Sequence, residues 1–297
     1  HTGPQVTLEE DLERRDLTIN AIAKSDNGEI IDPYQGQQDI QHRLLRHVST
    51  AFSEDPVRIL RVARFMARYH HLGFSVANET MQLMNDMAAQ GETKHLVAER
   101  VWQECDKAFS EKNPEYFFST LQNCHTLHDV FPSFAQHDLK PCLSILQKAC
   151  QLSTNNHIRF AAFCFPLPLD EIEKINAHLA TPNEYKTLSL LTKNHYNDYI
   201  NIAEWTAETL CWLFQKTDAL RKPERFQQIL TACHSIAQSE NNDNNNNALL
   251  LKALTAYQQV DHQALIKQGF KKAALGEAIK EKRKEQLQEW LIQESLP

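Results

Sequence analysis

Apolar residues recur every three or four positions along most of the chain, the spacing of helices with one buried face. In "DPVRILRVARFMARY" (55–69), Ile59, Val62, Ala63 and Met66 fall on one stripe, and Asp55 before Pro56 supplies a cap and a first-turn proline. "ERVWQECDKAFSEK" (99–112) predicts a second helix, and "NPEYFFSTLQNC" (113–124) a third that begins after Asn113-Pro114. Segments 141–152, 158–165, 170–180, 184–194 and 198–216 continue the series. "RRDLTINAIA" (14–23) also reads as a helix, and the C-terminal stretch 266–293 reads as one preceded by a turn at Gly269. The polar, low-complexity run "SENNDNNNN" (239–247) predicts a mobile loop.

Only residues 25–40, "SDNGEIIDPYQGQQDI", break this texture. Asn27-Gly28 predicts a tight turn leading into a short extended run, Glu29–Ile31, which Asp32-Pro33 ends before a further turn at Gly36. Such a short strand region forms no stable sheet alone, so it pairs with other strands or packs on helices. The pattern as a whole predicts a mainly α protein.

Composition narrows the chemistry. There is no run of 18 apolar residues, so no membrane span is expected, and the opening "HTGPQVTLEE" has neither the layout of a signal peptide nor an initiator Met, which suggests processing or truncation. The seven cysteines are odd in number and form no C-x-x-C, which points to reduced thiols and a cytoplasmic setting. Cys124, His125, His128 and His137 lie close together but fit no zinc spacing, and read as a core thiol among surface histidines. With only seven glycines, none closer than Gly269 and Gly276, the chain holds no Rossmann or P-loop phosphate cradle.

Against a net charge of -7, the clustering of Arg58, Arg61, Arg64 and Arg68 in one helix stands out. They cover about half its circumference, and two acids at its start, Glu54 and Asp55, do not balance four guanidinium groups, whereas a triphosphate would. A solvated helix face is the alternative reading. Asp55 and Arg58 are neighbours one turn apart, one accepting hydrogen bonds and the other donating them. That edge complements the amino donor and ring-nitrogen acceptor of cytosine or adenine and mispairs with uracil and guanine. A second basic concentration lies between Lys267 and Lys284, with seven basic residues against two acidic ones. It reads as a solvated face, or as a phosphate-contacting one in a protein that handles RNA.

"RRDLTINAIA" (14–23), "IDPYQGQQDI" (31–40), "EDPVRILRVARF" (54–65) and "ERVWQE" (99–104) occur in an order and spacing that closely resemble the bacterial CCA-adding enzymes, the class II tRNA nucleotidyltransferases of the DNA polymerase beta superfamily. Fainter similarity includes "RKPERF" (221–226) and "QGFKKAALGEAIKEKR" (268–283). The resemblance implies the remnant of an α+β nucleotidyltransferase head over 1–48, a helical neck with the nucleotide-reading helix over 49–110, a helical body over 111–216 and a helical, tRNA-binding tail over 217–297. Arg15, Asp16 and Asn20 look like the residues that hold the sugar and phosphates of the incoming nucleotide. Asp55 and Arg58 look like the protein template for C or A, and Arg61 and Arg64 like triphosphate ligands. "DPYQG" (32–36) resembles the flexible motif for switching from C to A, and Glu99 and Arg100 resemble a brace for the template helix.

The activity so implied is a CTP/ATP:tRNA nucleotidyltransferase that builds or repairs the 3′-terminal CCA, with tRNA, CTP and ATP as partners and neither membrane nor DNA expected. A poly(A) polymerase and a catalytically inactive helical RNA-binding relative are the alternatives. Two departures accompany the likeness. The family's glycine-containing phosphate motif and its Mg²⁺-binding catalytic carboxylates have no counterpart here, so the likeness places them upstream and implies that roughly 70–80 residues precede His1 and that the chain alone is inactive. No catalytic or metal-binding residue is therefore named, and Asp11, Glu13 and Asp16 are not taken as metal ligands. In "IRFAAFCFPLPLDEIEKI" (158–175), Phe165 and Pro166 stand where some relatives carry the His-Asp pair of a phosphohydrolase, so that activity is not expected.

Overall fold

The helical stripes read from the sequence become a chain of short helices in a computed structural model that describes residues 6–242 and 245–296. It divides into two compact units, His1–Leu143 with Asp170–Pro182, and Ser144–Leu169 with Asn183–Pro297.

In the first unit, α1 (Leu8–Glu13) is closed by a capping box between Thr7 and Glu10. Residues 14–23, read above as a helix, instead contain one 3₁₀ turn, Thr18–Asn20, followed by β1 (Ala23–Lys24). The side chains explain the difference. Asp16 accepts from its neighbour's N–H, Leu17, at 2.9 Å and from Asn20 Nδ2 at 3.0 Å, which offers the backbone a turn in place of a helix. Strand β1 pairs antiparallel with β2 (Ile30–Ile31) across the Asn27-Gly28 turn, where Gly28 takes φ +92°.

Helix α2 (Gly36–His42) begins with Asp32 accepting from the N–H groups of Gly36 at 2.7 Å and Gln37 at 2.9 Å. Gly36 is required by space, since a Cβ there would lie 2.2 Å from the Thr18 carbonyl oxygen. On the same helix the buried Asp39 accepts from Thr18 Oγ1 at 2.7 Å and from Arg46 Nε at 3.1 Å, and Arg46 also pairs with Glu79.

A second strand pair, not legible as strands in the sequence, joins β3 (Leu44–Leu45) in parallel to β4 (Ser75–Val76). Between them runs α3 (Val57–Tyr69), whose Ile59, Leu60, Val62, Ala63 and Met66 are buried. Helix α4 (Asn78–Ala89) follows, then α5 (Ala98–Ser110) and α6 (Glu115–Asn123), both packed on α3. After α7 (Leu127–Val130) the chain leaves this unit within α8 (Lys140–Leu152).

The chain then forms α9 (Asn156–Cys164), returns to the first unit at Asp170 in α10 (Leu169–His178), and re-enters the second at α11 (Asn183–Ile200). Segment 198–216 is not one helix. It breaks at Asn201–Thr206, where Trp205 Nε1 donates to the Asp198 carbonyl at 2.8 Å and Thr206 forms a capping box with Thr209 to start α12 (Ala207–Lys216). Helices α13 (Pro223–Ser239), α14 (Asn247–Gln258), α15 (His262–Lys267) and α16 (Lys272–Gln293) complete the unit. Tyr199, Trp205, Phe214, Phe226, Tyr257, Leu287 and Trp290 lie in its common core. Of the polar run 239–247, Asp243 and Asn244 lie outside the described residues, while Ser239 ends α13 and Asn247 opens α14.

Phe165 caps the end of α9 and meets Tyr196 edge-on with ring centroids 4.7 Å apart, so its position is part of a packed aromatic contact. Cys124 is buried, and among the described residues no group of three or more His, Cys, Asp or Glu is placed to hold a metal ion. Among the same residues no helix is long and apolar enough to cross a membrane.

Candidate nucleotide-binding site

Helix α3 carries the arginine row because its apolar stripe faces α5 and α6, leaving the remaining circumference to charge. The carboxylates that balance the row come mainly from α5 and its C-terminal end. Arg64 is turned inward, 8% exposed, donating from Nε to Glu104 at 2.6 Å and reaching Glu111 at 3.4 Å. Its guanidinium also lies over the Phe65 ring at 4.5 Å. Arg68 donates to Glu111 at 2.9 Å. The charge argument made from the sequence, which counted only Glu54 and Asp55, therefore missed Glu104 and Glu111. A signal was available, because Glu104 falls on the buried stripe of α5 with Val101, Cys105 and Ala108, where an acid needs a cation. Burial pushes the Glu104 carboxyl up, but the hydrogen bond and charge of Arg64, followed by those of Lys107, hold it below the ordinary glutamate value.

Arg61 is placed differently. It is 36% exposed and donates from Nε to Asp16 at 2.7 Å, with Glu104 3.9 Å from Nη1. Asp16 itself is buried, and its two oxygens are taken by Leu17 N–H and Asn20 on one side and by Arg61 on the other. The structure thus brings Asp16, Asn20 and Arg61 together and makes Asp16 the residue that aims the other two. Arg15 stands at the surface, half exposed, paired only locally with Asp11 at 2.6 Å. Surface pairs of this kind contribute little, so the side chain is free to turn to a stronger anion.

Asp55 and Arg58 sit at the start of α3, each held by a neighbour other than its pair. Asp55 accepts from the Val57 N–H at 3.2 Å and from both terminal nitrogens of Arg100, at 3.1 and 2.7 Å. Burial raises the Asp55 carboxyl, but the Arg100 hydrogen bonds and charge, then the Val57 N–H and the charge of Arg58, leave it below the ordinary aspartate value. Arg58 donates to the carbonyls of Ala51 and Arg14, the latter at 2.6 Å. A carboxylate offers roughly four lone-pair sites and a guanidinium five N–H groups, so both retain capacity for a further partner. Glu99, on the same helix as Arg100, is exposed.

An open cavity of about 440 Å³ adjoins the carbonyls that hold Arg58. Its walls include Glu10, Glu13, Arg14 and Glu54, and the three acids make it unsuitable for a triphosphate. All of these residues belong to the first unit.

Residues 2–46 match the family described as "Poly A polymerase head domain", and residues 73–137 the one described as "Probable RNA and SrmB- binding site of polymerase A". A "Multifunctional CCA protein" of Teredinibacter turnerae is 42% identical, over 94% of this chain and 77% of its own length. A "CCA-adding enzyme" of Pseudomonas putida is likewise 42% identical, over 95% of this chain and 77% of its own. Among solved structures, a CCA-adding enzyme in an apo form matches with a TM-score of 0.72 at 19% identity, covering 98% of this chain and 71% of that one. The Bacillus stearothermophilus CCA-adding enzyme in complex with CTP matches with a TM-score of 0.67 at 23% identity, covering 97% and 75%. These structural likenesses establish the fold.

Proposed function

The chain belongs to the bacterial CCA-adding enzyme family, and from that membership we propose that it transfers CMP and AMP from CTP and ATP to the 3′ end of tRNA, choosing the base with Asp55 and Arg58. In that reaction the terminal tRNA hydroxyl attacks the α-phosphate in line, the new O–P bond forms as the hydroxyl gives up its proton to solvent, and pyrophosphate leaves with the electrons of the broken P–O bond.

The observation that supports the choice of base is that a half-buried carboxylate and a guanidinium stand three positions apart at one end of α3, each anchored by other groups and each with capacity left. Asp55 accepts the exocyclic amine of cytosine or adenine and Arg58 donates to the ring nitrogen beside it. Uracil and guanine present a carbonyl to Asp55, and two acceptors then face each other without a proton. Arg100 keeps the carboxylate aimed and ionised. Arg61, aimed by Asp16, carries the charge that meets the triphosphate, with Arg15 and Asn20 beside the sugar and phosphates. Arg64 takes part by fixing α3 on α5, and Glu99 marks the exposed flank of that brace. The "DPYQG" segment (32–36), where Asp32 caps α2 and Gln35 adopts φ 59°, is the proposed switching element.

The proposed division of labour is a head over 1–48, a neck over 49–110, a body over 111–216 and a tail over 217–297 that meets tRNA. Mg²⁺ is implied by the family likeness, but the described residues do not fit it. Asp16 is buried and committed to Leu17, Asn20 and Arg61, Asp11 pairs with Arg15, and among these residues no donor cluster is placed for a metal. No step is assigned to it.

The test is incorporation by the full-length protein into a tRNA lacking its terminal CCA, with CTP alone, ATP alone and both. Addition of two C residues from CTP alone is expected, followed by one A when ATP is present. Incorporation of ATP only would favour the poly(A) polymerase reading, to which the matched head and RNA-binding descriptions lend some weight. No incorporation at all would leave an inactive RNA-binding relative.

A further inference from the structure

Three helices of the second unit, α9, α11 and α13, pack on one another and bring their N-terminal turns to one cavity of about 550 Å³. Every residue that lines it belongs to that unit. The volume falls within the ~300–1,000 Å³ of small-molecule sites. One wall is the start of "RKPERF" (221–226), a motif whose side chains the functional reading leaves without individual roles.

Arg221, Lys222 and Arg225 give this wall three cations. Among the described residues the carboxylate in ion-pair reach of the two guanidinium groups is that of Asp218, at 3.8 and 4.0 Å. At such distances one carboxylate does not satisfy two guanidinium groups. Arg225 donates from Nη2 to the Thr217 carbonyl at 2.8 Å, while its Nε–H is shut off from solvent without an acceptor. A buried donor left in that state is unfavourable, and an incoming acceptor relieves it. No side chain caps α13 either, because its N-cap is Lys222, which accepts no hydrogen bond. The first N–H groups of the helix add to the donors that face an anion.

Two carboxylates, those of Glu184 and Glu224, line the same cavity. A bare inorganic anion would meet cations and carboxylates together. A phosphorylated sugar satisfies both, with its phosphate on the cations and its hydroxyls donating to the acids. A terminal phosphate also carries close to two charges and three free oxygens for these donors, more than an internal phosphate of a nucleic acid offers.

We propose that this cavity binds a small phosphate monoester carried on a sugar, with Arg221, Lys222 and Arg225 on the phosphate and Glu184 and Glu224 on the hydroxyls. The site does not rest on the reaction proposed above, whose nucleotide-binding residues all lie in the first unit.

The experiment follows hydrogen exchange of the full-length protein with ribose 5-phosphate, with inorganic phosphate and with tRNA, because exchange reports which helix a ligand protects. Ribose 5-phosphate should protect the amides of Glu224 and Arg225 at the start of α13, and inorganic phosphate should need at least ~10-fold higher concentration for the same effect. The double variant Arg221→Ala, Lys222→Ala removes two exposed side chains and leaves the core in place. It should need about 10- to 100-fold more ribose 5-phosphate. Glu184→Gln should weaken ribose 5-phosphate and leave inorganic phosphate no weaker. Absence of protection by millimolar ribose 5-phosphate would overturn the proposal, as would the same protection in wild type and double variant. Protection by tRNA alone would overturn it too and assign the wall to nucleic acid phosphates. Equal potency of inorganic phosphate and ribose 5-phosphate would refute the role given to the sugar and to the two acids.

Discussion

Arg58 and Arg61 lie three positions apart on one helix, yet their neighbours give them different work. Arg58 is held by two carbonyls near a carboxylate, the arrangement proposed above to read a base edge, whereas Arg61 is held by Asp16 and is partly exposed. Arg58→Ala should lower the preference for CTP over UTP by about 10- to 100-fold, the equivalent of the ~1.5–3 kcal/mol of a hydrogen bond to a charged group. Arg61→Ala should raise KM for CTP and ATP alike. Steady-state kinetics with all four nucleotides checks this, and identical behaviour of the two variants would refute the division. Glu104 has a separate signature in pH. Its carboxyl is depressed in the folded chain, so the stability it contributes is present above the ordinary glutamate value and is lost as pH falls through the lower folded value. Glu104→Gln should therefore lower the urea midpoint at neutral pH and flatten its decline on the acid side, as read from midpoints between pH 7 and pH 3. An acid limb as steep as that of wild type would contradict this.

At the scale of elements, Gly36 is the position where α2, the Thr18–Asn20 turn and the proposed switching segment meet. Gly36→Ala places a Cβ against the Thr18 carbonyl, and backbone has to give way. A loss of about 1–3 kcal/mol is expected, with a rise in nucleotide KM because Asn20 and Asp16 sit on the displaced turn. Thermal unfolding and KM for ATP test it, and an unchanged melting temperature would refute it. What the sequence made legible at this scale was local. The stripe of α3, the Asn27-Gly28 hairpin and the turn at Gly269 are each set by residues within one or two turns of each other. The two helix readings that failed, over 14–23 and 198–216, failed where a side chain competes for the backbone, at Asp16 and at Thr206 with Trp205. The carboxylates that hold the arginine row were hidden for another reason. Arg100 and Asp55 are 45 residues apart in sequence, and Arg64 and Glu104 are 40 apart, so no local pattern links them.

For the molecule as a whole, Asp55 and Arg58 and the aromatic core of α9 and α11–α14 belong to different compact units. Phe226, fully buried, anchors the second core beside Phe214 at a centroid distance of 5.5 Å. Phe226→Ala should cost about 3–5 kcal/mol there. Hydrogen exchange should show lost protection in α11 and α13 with protection in α3 and α5 retained, and uniform loss through both units would mean that they unfold as one. The long reach of the arginine ion pairs has a further consequence for the nascent chain. When α3 leaves the ribosome, Arg64 and Arg68 precede their carboxylates by 40 to 47 residues. At ~5–20 residues per second this amounts to about 2–9 s of synthesis. During that interval the growing polypeptide carries two guanidinium groups without their partners, close to ribosomal RNA, until Glu104 and Glu111 are made.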